Sequence, residues 1–286
     1  MWLVLVLFTA LFTSLTDVFS RKIVHRVDVT IIAWAWPFFS LPFLYLSLCF
    51  QRPVDIQPVF WLALLSSCII LTIATLFYVK AIKSSDLSLT IPMLTLTPLF
   101  MLFTSPLILQ ESPRPLGKAG IILIVLGSYV MHIRSQQRGF WSPFKNLLTT
   151  PGPRYMLVVA FLYSIGGNID KIGIRNSSPL IWPAALNTAL AFSLSLIMLK
   201  KTKNIIQQIQ TGWIFLVLIG LVIALANICL MYALRLTLVP YIIAVKRTSV
   251  IMSSLFGFII FKEKGMKQRL LGAALMVLGV FIISVL

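Results

Sequence analysis

Acidic residues are scarce in this chain: seven Asp and Glu stand against 24 Lys and Arg in 286 residues, and charged residues make up only 11%. A soluble domain carries about 25% charge, so the composition excludes a soluble globular fold. So few carboxylates also leave little for acid–base hydrolysis. Only two histidines occur, His25 and His132, both at the edges of apolar runs. The three cysteines, Cys49, Cys68 and Cys229, lie within apolar stretches and are expected as buried thiols rather than disulfides or metal ligands. No glycine-rich phosphate loop, metal-spaced cluster or nucleophile with a matching base is present. The sequence therefore predicts no enzyme, no cofactor and no metal site.

What the chain does have is apolar sequence: 59% of residues are hydrophobic and the mean hydropathy is +0.99. The net charge of +17 invites a nucleic-acid partner. The basic residues, however, sit in short gaps between apolar runs, the pattern of loops flanking membrane spans. The expected partner is the bilayer. A span needs about 20 mostly apolar residues, and the sequence yields ten, at roughly 2–19, 29–49, 58–79, 87–109, 117–134, 155–172, 179–199, 212–234, 239–261 and 267–286. The first lacks the basic start of a cleaved signal peptide and is expected to be retained. Residues 136–153, with Gly139, Pro143, Pro151, Gly152 and Pro153, have the composition of a linker. They divide the chain into halves at 1–135 and 154–286.

The halves repeat. A shift of 152 residues places Ala81 on Ala233, Lys83 on Arg235, Thr97 on Ser249, Glu111 on Glu263, Gly120 on Gly272 and Gly127 on Gly279. Five spans per copy is an odd number, so the second copy enters the membrane upside down. Inverted repeats of this kind belong to transporters, with the solute site near the midplane between the copies. The expected fold is an all-α membrane protein of ten transmembrane helices in two inverted five-helix repeats.

The pattern Glu-x8-Gly-x6-Gly closing each half resembles the EamA-like ten-helix members of the drug/metabolite transporter superfamily, over nearly the whole chain. That resemblance implies a secondary transporter. A narrower likeness, Val245 to Ser254, is to the ninth helix of the plastid triose-phosphate translocators. There a Lys-Arg pair holds the substrate's phosphate, which implies a similar role for Lys246 and Arg247. Orientation is left open. The loops expected on one side carry 16 Lys and Arg and those opposite carry six. The positive-inside rule then puts both termini outside, whereas the resemblance implies cytoplasmic termini. The expected location is a bacterial inner membrane.

Lys246 and Arg247 are adjacent within the ninth apolar run, and each such cation costs roughly 2.5–3.5 kcal/mol at a helix centre. A chain keeps the pair for a wet cavity, a counter-charge or an anionic ligand. Lys246, Ser249, Ser253 and Gly257 share one helix face, and Arg and Lys both suit phosphate or carboxylate. The alternative is pairing with Asp17 or Asp170. On the fourth span, Thr90, Thr97 and Thr104 recur every seven residues between Pro92, Pro98 and Pro106, and Thr97 is the repeat partner of Ser249. Asn168 and Asn187 are intramembrane amides, fit for solute contact or for helix–helix bonding. Asp17 is a candidate coupling-proton site, or the partner of Arg21 or Lys22 one turn away. Trp34, Trp36 and Trp182 are expected in the interfacial belt. Glu111 and Glu263 are expected in loop-fixing salt bridges.

These residues point to an alternating-access carrier of a small phosphate- or carboxylate-bearing anion, with Lys246, Arg247, Ser249, Thr97, Asn168, Asn187 and Ser253 as its contacts. Exchange is favoured over uniport, because two unneutralised cations would resist closure. Two alternatives stand: a proton-coupled exporter of amino acids or drug-like metabolites, and a non-transporting component that binds lipid headgroups in a basic pocket.

Overall fold

The computed structural model describes residues 1–85, 87–134, 150–261 and 266–285. Glu263 and the linker up to residue 149 lie outside the described residues. Twelve helices are described: α1 (Trp2–Ile23), α2 (Val29–Leu48), α3 (Val59–Ser84), α4 (Leu87–Leu94), α5 (Thr97–Leu109), α6 (Pro115–Arg134), α7 (Pro151–Arg175), α8 (Ile181–Lys201), α9 (Ile205–Leu236), α10 (Val239–Lys246), α11 (Ser249–Phe261) and α12 (Met266–Ser284). Eight stretches, counting α4 with α5 and α10 with α11, are long and apolar enough to cross a membrane; Pro115–Met131 and Leu270–Ser284 are shorter apolar helices. The all-helical ten-crossing architecture expected from the sequence is thus present.

Two local features differ from expectation. Pro151, Gly152 and Pro153 open α7 rather than ending a linker; proline is favoured in a first helical turn, where its missing N–H is not needed. The fourth and ninth spans are broken rather than continuous. The breaks fall at Thr95-Leu96 and Arg247-Thr248, positions that the 152-residue repeat superposes. At each, a threonine hydroxyl donates back three residues: Thr95 to the Pro92 carbonyl at 2.7 Å and Thr248 to the Val245 carbonyl at 2.8 Å. The turns there close through i→i+3 bonds, the tighter 3₁₀ geometry.

The halves interlock. α1 packs on α9, α10 and α11, and α7, its repeat partner, packs on α3, α4 and α5. Helices α6 and α12 meet face to face. A Cβ on Gly127 would lie 2.5 Å from the Gly272 carbonyl oxygen, and one on Gly279 would lie 2.6 Å from that of Gly120. The repeat maps Gly120 onto Gly272 and Gly127 onto Gly279, so a two-fold axis exchanges these two contacts. Backbones this close exclude any side chain. Gly127→Ala and Gly272→Ala should therefore each cost about 1–3 kcal/mol by overpacking, read as a lower melting temperature in detergent. Gly120→Ala should cost less, because there the Gly279 carbonyl stands 3.0 Å away and the closer atom belongs to the Ile283 side chain.

A polar anchor joins α2 to α3. Asp28 caps α2 by accepting from the Thr30 amide at 2.7 Å, and it pairs with Lys83 at the end of α3 at 2.9 Å. Partial burial acts to raise the Asp28 carboxyl, but the bonds from Thr30 and Lys83 outweigh it and hold the group below its ordinary range.

The cysteines are all free, but none is buried as expected: Cys49 is exposed at the end of α2, and Cys68 and Cys229 are half-buried. Cys49 is the C-cap residue, one position past the helix.

Candidate functional site

Proline builds the first half of the site. Pro98 has no N–H, so the Leu94 carbonyl four residues back loses its helical donor. The Thr97 hydroxyl takes that place, donating to the Leu94 oxygen at 2.8 Å. The second half reaches the same atom: Arg247 Nη2 donates to Thr97 Oγ1 at 2.8 Å. The two helix breaks are thus joined across the repeat interface.

Lys246 ends α10 and Arg247 caps it. Cations at a helix C-terminus are favoured by the helix dipole, which lowers the cost of holding them here. Among the described residues neither forms a salt bridge. The Arg247 Nε is buried and has no hydrogen-bond partner. Ser249, itself buried, opens α11 beside the pair.

Two carboxylates face these cations without touching them. Asp17 and Asp170 both act on the Lys246 charge. Asp17 accepts a 2.8 Å hydrogen bond from Ser253 Oγ on α11, a partner that the sequence reading, which offered Arg21 or Lys22, did not include. Asp170 accepts a 3.0 Å bond from Trp182 Nε1 on α8.

Aromatic rings complete the wall. Tyr163 of α7 is within electrostatic reach of Arg247, and Tyr78 of α3 is within reach of Tyr163 and Asp17. Trp36 of α2 packs on Tyr78 with ring centroids 5.9 Å apart, and its Nε1 is buried without a partner. Sequence reasoning missed both tyrosines, since an aromatic in an apolar helix reads as core. The recurrence of Trp-Pro at 36–37 and 182–183 was the one available signal.

The interfacial-belt expectation fails for Trp34 and Trp182, which are 6% and 0% exposed. Their indole N–H groups find partly buried acceptors, Ser195 at 2.7 Å and Asp170 at 3.0 Å, so neither ring has reason to stay at the water interface.

The expected contact residues separate into two groups. Lys246, Arg247, Thr97, Ser249, Ser253 and Asp17 come together around the helix breaks. Asn168 is fully buried and occupied elsewhere: it accepts from Ser105 at 2.6 Å and donates to Thr104 and to the Ser164 carbonyl, locking α7 to α5. Asn187 donates to the Pro183 carbonyl at 2.7 Å and meets Ser40 of α2 at 3.5 Å. Both amides bond helix to helix.

The two ends of the site differ. At the face where α7 ends, Lys171 and Arg175 clamp Glu111 at 2.8 and 2.6 Å, Lys171 also donates to the Thr237 carbonyl, and Phe60 packs edge-on against buried Trp182. At the face where α1 ends, Asp17 is exposed. A cavity of about 510 Å³ also opens on that face between Thr30, Thr75, Lys80, Lys83, Tyr155 and Leu194; the cation pair does not line it.

The profile of the EamA-like transporter family matches residues 1–133 and 150–285. A crystal structure described only as that of a protein superposes with a TM-score of 0.82 at 16% identity, covering 99% of this chain and 98% of the other, a likeness of fold alone. No curated protein matches the sequence.

Proposed function

Because the chain belongs to the EamA-like transporter family, and is therefore a multi-pass membrane transporter, we propose that it carries a small organic anion bearing phosphate or carboxylate. One observation carries this reading: Arg247 and Lys246 stand at a helix break between the repeats with no salt-bridge partner among the described residues, and the buried Arg247 Nε has no acceptor. A buried donor left unmade costs free energy, and an anionic oxygen would satisfy it. Arg247 supplies a planar fork and Lys246 a mobile charge. Thr97 fixes the guanidinium, and Ser249 and Ser253 offer hydroxyls on the same helix. Asn168 and Asn187 are left out of the site because their amides are already bonded.

Helix breaks at the interface between inverted repeats suit alternating access around a fixed site. With the face beyond Asp170 sealed and Asp17 exposed, the solute enters from the face where α1 ends.

The test is a thermal-shift screen of purified protein with phosphoenolpyruvate, glucose 6-phosphate, citrate, nucleotides and amino acids. A ligand at a hundredfold excess over its Kd stabilises by about 2.7 kcal/mol. An anion should raise the melting temperature of the wild type and not that of Lys246→Ala. Stabilisation by amino acids alone, or equal shifts in both proteins, would overturn the reading.

A further inference from the structure

We propose that Asp17 and Asp170 are a pair of proton-binding carboxylates, one toward each face, that exchange places with the transported anion as counter-charge to Lys246 and Arg247. This rests on the anion reading above. The 152-residue shift places Asp17 on Ile169, one position short of Asp170, so the two aspartates stand at neighbouring levels on the first helix of each half. Asp17 lies six residues from the end of α1 and Asp170 five from the end of α7. These helices cross the membrane in opposite directions, so the carboxylates flank the midplane from opposite sides, with the cations between them.

The charges balance. Two carboxylates offset two cations when nothing is bound. A bound anion adds negative charge to a site of low dielectric, and that excess is removed when a carboxylate takes a proton to become a neutral acid. Each carboxylate that takes a proton cancels one unit of that excess. On release, the acid gives its proton to water and the carboxylate again neutralises the cations. The empty carrier can therefore reorient, so net proton–anion symport replaces the exchange expected from the sequence.

The groups around each carboxylate fit this role. Asp17 is faced by Lys246 and Arg247, by Tyr78 of α3 and by Ser253 of α11, with Arg21 and Lys22 one turn along α1. The only charged side chain of α9, which packs along α1, is Arg235 at its far end. Asp170 is faced by Lys246, by Trp182 of α8 and by Ser67 of α3. Lys171, Arg175 and Glu111 form a separate, closed cluster one turn beyond. Among the described residues Asp17 and Asp170 form no salt bridge; Asp17 accepts from Ser253 and Asp170 from Trp182, both neutral donors. Either donor tolerates the neutral acid.

The experiment measures binding of phosphoenolpyruvate and of inorganic phosphate to the full chain in lipid nanodiscs by calorimetry, in two buffers of different ionisation enthalpy, between pH 6 and 8. After correction for the probe's own ionisation, wild-type affinity should fall about tenfold per pH unit, the slope of one linked proton. Each binding event should take up about one proton. Asp17→Asn and Asp170→Asn should each reduce that uptake, and the double variant should bind with no proton uptake and no pH slope. Anion binding that needs Lys246 and Arg247 but shows no proton uptake in the wild type overturns this proposal and leaves the anion reading standing. Absence of binding by both probes, or binding indifferent to Lys246→Ala, overturns both.

Discussion

Arg247→Met should lose on the order of 100-fold in affinity for the anion that stabilises the wild type, about 2.8 kcal/mol, and should keep its thermal stability. The two halves of that expectation have separate causes. The guanidinium is the one group at the site able to give an anion two parallel bonds, and charge-assisted bonds of this kind are about twice as strong as neutral ones. Removing a partner from a buried charge contact costs about 2–5 kcal/mol. Stability, by contrast, loses only a single hydrogen bond, to Thr97 at 2.8 Å, and sheds a buried donor, Nε, that has no acceptor. A purely structural arginine would behave the other way, with melting temperature falling and affinity unchanged. Arg247→Lys separates charge from geometry: it keeps the cation and loses the fork, so about tenfold of the affinity should go. Thr97→Val should weaken binding modestly in the wild type and not at all in Arg247→Met, since the hydroxyl acts by holding the guanidinium. Calorimetry and thermal melting on the wild type, the three single variants and the Thr97→Val, Arg247→Met double variant check all of this together.

The frame of this site was readable from sequence, and its lining was not. Hydropathy placed the crossings because a bilayer demands a minimum apolar length. The repeat was visible because its glycines pair at the α6–α12 contact, where at 127, 272 and 279 a Cβ would meet a facing carbonyl oxygen within 2.6 Å. Lys246 and Arg247 stood out because charge within an apolar run has few explanations. The second helix break was hidden: the first carries Pro98 as its signal, whereas the break at Arg247-Thr248 has no proline and is set by a threonine bonding its own backbone. Asn168 and Asp17 show the other limit. Sequence gives a polar side chain in a span several possible partners, and only packing decides among them. Asn168 met Thr104 and Ser105 on α5 and was used up in joining helices. Asp17 met Ser253, a residue 236 positions away, because the second half crosses back over the first.

Glu111→Gln should produce the largest loss of stability among single charge changes, about 3–5 kcal/mol. Glu111 is the shared carboxylate of a cluster: its side chain is 12% exposed and that of Lys171 8%. Neutralising it leaves the Lys171 ammonium buried without its counter-charge, facing only neutral acceptors such as the Thr237 carbonyl. Arg175, 53% exposed, can turn to solvent, so Arg175→Ala should cost under about 1 kcal/mol, the scale of exposed pairs. The cluster also ties the end of α5, in the first half, to the end of α7, in the second, at the sealed face. Opening that face must separate these ends. A cysteine placed at buried Ile174 (3% exposed) should therefore react with a membrane-impermeant maleimide at least tenfold faster, on the order of 1.4 kcal/mol of opening, in Glu111→Gln than in the Ile174→Cys background alone. Glu111→Leu combined with Lys171→Met removes both charges and restores apolar packing, and for buried pairs that exchange is commonly neutral or stabilising. Recovery of stability with a slow maleimide reaction in that variant assigns the closure to the contact between the two helix ends. Continued fast labelling in a restored fold would instead show that the ion pair itself holds the face shut.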